Sequence, residues 1–161
     1  MILLTGATGY VGGRLLRELD RRGLPVRALA RSPEKLEGRT KAEVVAGDVA
    51  DAGSLRAAMA GVDSAYYLVH SLAAGGSLGD AESRAAETFA AAAAEAGVGR
   101  IVYLGGLGRG DDLSQHLESR HEVGRILRES AVPTLELRAS VVIGAGSVSF
   151  DTLRLLAERL P

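Results

Sequence analysis

The chain has 161 residues, 47% of them apolar and 24% charged, which suits one globular domain with a full core. A net charge of −1 supplies no field for capturing nucleic acid or an anionic membrane surface. Cysteine is absent, so disulfides and thiolate metal sites are excluded and no metal centre is expected.

The amino-terminal MILLTGATGY opens on an apolar run that stops at Leu4 with no basic residue ahead of it. That is neither a secretion signal nor a membrane span, and a cytoplasmic protein is the expectation. Short β-like runs then alternate with helical patterns. Strands are predicted at 2–5, 26–30, 43–46, 64–69, 100–104 and 134–138. Helices are predicted at 10–22, 54–60, 80–96 and 113–130, with a last one from Val148. Val11, Leu15 and Leu19 form an apolar stripe on the first helix, whereas the stretch around Pro33 to Leu36 has room only for a turn. The alanine run 90–94 is a good helix former whose small side chains let a helix lie close to a sheet. Continuous apolar strands alternating with helices predict a doubly wound parallel α/β sheet in the order 3-2-1-4-5-6, with helices on both faces.

Glycine is the unusual residue, at 21 copies clustered where strands end. The first cluster, Thr5-Gly6-Ala7-Thr8-Gly9-Tyr10-Val11-Gly12, follows a strand and opens a helix. In such a turn one glycine lets the strand reverse, a second lets backbone approach a pyrophosphate, and a third lets the helix pack closely on the sheet. The free amides and dipole of the helix start then face the phosphate charge. Gly6, Thr8, Gly9, Tyr10, Val11 and Gly12 are therefore expected to bind a nicotinamide dinucleotide, the Rossmann arrangement.

Cofactor choice is expected at the end of the second strand, about 20 residues past the glycines, where an acidic residue would hold a ribose 2′-OH. Here Ala30 is followed by Arg31 and Ser32, a guanidinium and a hydroxyl suited to a 2′-phosphate, so NADP(H) is favoured over NAD(H). A solvated arginine at a strand end is the other reading. Asp48 and Val49 follow the third strand, where an adenine would lie; Asp48 reads equally as a turn or N-cap aspartate. Val69, His70 and Ser71 after strand four, and Leu104, Gly105 and Gly106 at strand five, are expected to line the nicotinamide half.

Together LLTGATGYVG, VRALARSP, GDVAD, GVDSAYYLVHS, RIVYLGGLG and LRASVVIGAGS resemble the short-chain dehydrogenase/reductase superfamily. The likeness is to its atypical branch of NmrA-like and epimerase-like NAD(P)-binding proteins. LGGLG followed by HLESRHEVG and LRAS resembles a bacterial subgroup with a further domain after the Rossmann unit. Residues 1–161 are accordingly expected to be the amino-terminal, dinucleotide-binding part of a longer protein, without its substrate lobe. The resemblance implies a catalytic Ser/Thr near strand five and a Tyr-x-x-x-Lys pair on the next helix. This chain departs from it: Gly105 and Gly106 replace the hydroxyl, His116 stands at the tyrosine and Arg120 at the lysine. Tyr66, Tyr67 and Tyr103 lie within strands, where none is expected to replace the missing tyrosine.

His116 and Arg120 share a helix face that continues through Val123 and Leu127. Arg120 suits a ribose or phosphate, and His116 a proton donor titrating near neutrality. A polar first turn with both side chains in water is the alternative. His70 is a further catalytic candidate, whereas His121 reads as a surface residue. Two functions stay open: an oxidoreductase or isomerase acting on a small molecule, and a non-catalytic dinucleotide sensor or scaffold of the NmrA type. The last helix carries Leu153, Leu155, Leu156 and Leu160, a stripe expected to pack on further chain or a partner subunit. Family members commonly form homodimers through the helices predicted at 80–96 and 113–130.

Overall fold

The computed structural model describes residues 1–70, 78–108 and 114–159. In chain order the strands are β1 (Ile2–Thr5), β2 (Val26–Ala30), β3 (Glu43–Ala46), β4 (Ser64–Tyr67), β5 (Arg100–Gly106) and β6 (Thr134–Ala139). The helices are α1 (Tyr10–Arg21), α2 (Ala52–Ala58), α3 (Leu78–Glu95), α4 (Gln115–Glu129) and α5 (Val148–Arg159), with a 3-10 turn at Pro33–Lys35. All six strands are parallel, in the order β3-β2-β1-β4-β5-β6. The predicted doubly wound sheet is the one observed.

Two apolar layers hold it. On one face α1 packs Leu16 and Leu19 against Leu4, Val26 and Ala28. On the other, α2, α3 and α4 bury Leu55, Phe89 and Leu127 against Leu3, Ala65 and Ile101. Alanines 85, 86, 90 and 93 of α3 are all buried, so the helix sits close enough for fully covered Phe89 to reach the sheet. The buried face of α1 runs through Gly12, Leu16 and Leu19, with Val11 and Leu15 only half-buried. The predicted Val11–Leu15–Leu19 stripe is thus displaced, because close contact at Gly12 sets the rotation of the helix.

Differences at element ends have local causes. Strand β4 stops at Tyr67, not 69, because the Leu68 amide bonds the Thr5 hydroxyl (3.2 Å) instead of continuing the ladder. Thr5 also donates to the Tyr66 carbonyl (2.9 Å), so one fully buried hydroxyl fastens β1 to β4 where the chain order reverses. Strand β5 runs on to Gly106, since β6 pairs along its whole length. Helix α2 starts two residues earlier than predicted because Asp51 caps it, accepting from the amides of Gly53 and Ser54.

Beyond these layers Leu135 and Leu137 of β6, Ile143 of the following loop, and Leu153, Leu155 and Leu156 of α5 remain exposed. Leu160 of the predicted stripe lies outside the described residues, as does Ser71.

Candidate functional site

The glycine turn is built around φ +71° at Gly6, where an added Cβ would fall 2.6 Å from the Leu68 carbonyl oxygen. This is a left-handed turn that a side chain would strain twice over. At Gly12 a Cβ would lie 2.1 Å from the Gly6 carbonyl oxygen. The intimate contact at Gly12 is therefore with the turn itself, rather than with the sheet as expected.

Helix α1 begins at this turn with Gly9 as N-cap, without a capping side chain or an acidic residue in its first turn. Its first backbone bond runs from the Gly13 amide to the Gly9 carbonyl (2.8 Å), leaving the amides of Tyr10, Val11 and Gly12 without partners inside the helix. By contrast, α2 and α4 are capped by Asp51 and Ser114. Three free amides and an uncompensated dipole fit an anionic group such as a pyrophosphate. Exposed Thr8 and Gly9 stand at the mouth of the turn.

A cleft of about 310 Å³ runs from this turn along the carboxyl ends of the strands. Toward β2 and β3 it is lined by Arg31, Asp48 and Val49, and toward β4 by Val69 and His70. Gly6, Thr8 and Arg120 also line it. Arg31 is exposed and makes no hydrogen bond or ion pair among the described residues. Asp48 faces the cleft while its Oδ1 accepts from the Ala50 amide (2.9 Å), so it is a turn aspartate as well as a lining one. The N-cap role belongs to Asp51. Ser32 is half-buried at the start of the 3-10 turn and does not line the cleft.

The strand-five residues are arranged differently from the expectation. Leu104 and Gly105 lie inside β5 and outside the cleft lining. A Cβ on Gly105 would meet the Glu136 carboxylate at 2.5 Å, so this glycine makes room for an ion-paired side chain rather than for a ligand. The Glu136 side chain is 6% exposed and bridges Arg128 and Arg138.

Arg120 reaches inward, which removes the reading of a wholly solvated first turn. Its Nη2 donates to the Leu104 carbonyl (2.5 Å), and its buried Nε has no hydrogen-bond partner. His116 is exposed, outside the cleft lining, with its ring 6.1 Å from that of His70. His70 is exposed at the cleft, yet partial desolvation of its ring holds it below the usual imidazole value, reinforced by the charges of Arg120 and His116. His121 is half-buried rather than a surface residue, 3.2 Å from the Gly106 carbonyl.

Sequence reasoning passed over Tyr67 and Tyr103, both of which line the cleft. Tyr103 donates to the Arg120 carbonyl (2.9 Å), and burial raises its phenol to about 12. Tyr67 packs edge-on to Phe89 at 4.8 Å. Alternation within YYLV would have put one of the two tyrosines on the α3 face, but could not say which residues cover it. Glu82 of α3, also in the lining, accepts from Ser119 of α4.

A glycine turn, an uncapped helix and a cleft at the reversal of strand order define a nucleotide-binding α/β domain. The chain belongs to the NAD(P)H-binding family, whose profile matches residues 6–142. It is 38% identical over 136 residues to a (4-alkanoyl-5-oxo-2,5-dihydrofuran-3-yl)methyl phosphate reductase of Streptomyces griseus, covering 83% of this chain and 45% of that one. The Citrobacter sp. triphenylmethane reductase complexed with NADP(H) superposes with a TM-score of 0.72 at 25% identity, over 86% of this chain and 49% of that one. The Escherichia coli NADPH-dependent quinone oxidoreductase QOR2 complexed with NADPH gives 0.71 at 25% identity, over 86% and 48%. The chain thus spans about half the length of these relatives. Among the described residues no helix is long and apolar enough to cross a membrane, and no cluster of side chains could hold a metal ion.

Proposed function

We propose that this chain is the NADP(H)-binding domain of a reductase acting on a small organic molecule. The observation that carries the reading is the uncapped α1 start beside a cleft that has unpaired Arg31 directly after β2, where an acidic residue would hold a ribose 2′-OH, with Asp48 following β3. An anionic bridge fits the free amides, and a 2′-phosphate fits the guanidinium. A bound nicotinamide dinucleotide would supply hydride chemistry. Relatives that are reductases or bind NADP(H) support this direction.

With the Ser/Tyr/Lys set missing, His70 is the imidazole in the cleft lining, with His116 beside it and Arg120 as the cation on the α4 side. Exposed leucines on β6 and α5 fit a face on which a substrate lobe or a second subunit packs. A cytoplasmic location accords with the near-neutral charge and absent cysteine.

The test is calorimetric titration with NADP(H) and NAD(H), before and after Arg31→Ala. The expected result is tighter NADP(H) binding in the wild type and loss of that preference in the variant. NAD(H) bound equally well by both proteins would overturn the cofactor choice. Binding of neither dinucleotide would overturn the reading itself.

A further inference from the structure

The loop between β6 and α5 is tied to the first turns of α1, across 131 positions of sequence. Arg14 Nη2 donates to the Ala145 carbonyl (2.7 Å), and its guanidinium stands over the Tyr10 ring, 3.8 Å from the ring centre. The Gly144 backbone rests on the Tyr10 hydroxyl, since a Cβ at Gly144 would fall 2.2 Å from that oxygen. Tyr10 and Arg14 are one turn apart on α1, so they present a single surface to the loop. All four residues lie outside the cleft lining.

The loop leads directly into α5. The Ser147 amide bonds the Gly144 carbonyl (3.0 Å), its hydroxyl bonds the Val142 carbonyl (2.7 Å), and the Asp151 amide bonds the Ser147 carbonyl (2.8 Å). Ser147 is buried, whereas residues 152–159 of α5 are exposed. The hold of α5 on the domain therefore lies at the end that the loop supplies.

Tyr10 faces two ways. Its side chain carries the loop, while its amide is one of the three at the α1 start without a partner inside the helix. A group bound by those amides is separated from Gly144 by a single residue. We infer that Tyr10 and Arg14 are positioning residues that couple occupancy of the phosphate turn to the seating of the β6–α5 loop, and with it of α5. The coupling rests on the dinucleotide reading above. An anion that orders the α1 start fixes the ring on which the loop sits, and a seated loop keeps the α1 start in its binding geometry. Linkage makes the two effects equal. The factor by which ligand slows release of the loop is the factor by which release weakens the ligand.

Hydrogen exchange of the Ser147 and Asp151 amides, followed by NMR with and without saturating NADPH, tests the coupling beside calorimetry. In the wild type NADPH is expected to slow both amides at least about fivefold. Arg14→Met removes a charge-assisted bond at an exposed position, and should speed both amides about tenfold in the absence of ligand. It should also weaken NADPH by the factor measured for the wild-type slowing, and NADPH should no longer slow its amides. Gly144→Ala, which pushes the loop off the Tyr10 hydroxyl with Arg14 intact, should act in the same way. A merely structural tie would speed exchange in both variants yet leave NADPH affinity unchanged, and that result would overturn the inference. Wild-type amides indifferent to bound NADPH, or Arg14→Met amides exchanging as in the wild type, would overturn it too and leave the dinucleotide site standing. A wild type that bound no NADPH would overturn the dinucleotide reading, and the coupling with it.

Discussion

Replacing Gly12 by alanine tests the site and its packing together. The new Cβ would stand 2.1 Å from the Gly6 carbonyl oxygen and 2.7 Å from its carbon. Carbon and oxygen meet at about 3.3 Å, and both opposing atoms are backbone, so no rotamer change relieves the overlap. Overpacking of this severity costs about 3 kcal/mol, and the helical preference of alanine over glycine returns about 1 kcal/mol. A net loss of about 2 kcal/mol corresponds to a fall of about 4–8 °C in Tm for a domain of this size. Opening the turn also moves the free amides of α1, so NADPH affinity should drop at least about tenfold. Gly13→Ala is the control, since its Cβ would lie 3.2 Å from the Ala7 carbonyl oxygen and only a small adjustment is needed. Scanning calorimetry and NADPH titration give both readings. A Gly12→Ala protein that melts and binds like the wild type would refute the reasoning.

Thr5→Val should cost about 1–3 kcal/mol in urea unfolding, because the shape is kept while the Tyr66 carbonyl and Leu68 amide lose their shared partner; a neutral result would mean that water replaces the hydroxyl. His70 makes stability depend on pH. Its folded value lies below the ordinary one through partial desolvation and the charges of Arg120 and His116, with Glu82 opposing. The unfolded chain therefore takes up the proton first, near pH ~6.5. His70's contribution is complete above that pH and is lost as pH falls toward the folded value. Urea midpoints at two pH values on either side should show a drop that His70→Gln reduces; an equal drop in both proteins would remove His70 as the cause.

Much of this protein follows from local chemistry that any reader of the chain can apply. Alternating apolar runs and helical patterns decide a parallel sheet, because only crossovers of that kind join such strands. The phosphate turn is equally local. Gly6 and Gly12 act within a few residues of one another, so their spacing carries their geometry. Arg31 is placed by its position just beyond β2.

Tertiary structure decided the rest, where contacts join residues far apart in sequence. Thr5 ends β4 through a bond across 63 positions, which no window along the chain could foresee. The inward turn of Arg120 depends on the Leu104 carbonyl, and the clearance at Gly105 depends on Glu136 of a neighbouring strand. From the sequence Tyr67 is a tyrosine within a strand, not expected to replace the missing one. Only the packing of β4 against α3 and β5 shows it lining the cleft, because burial is a property of the assembled core rather than of the segment.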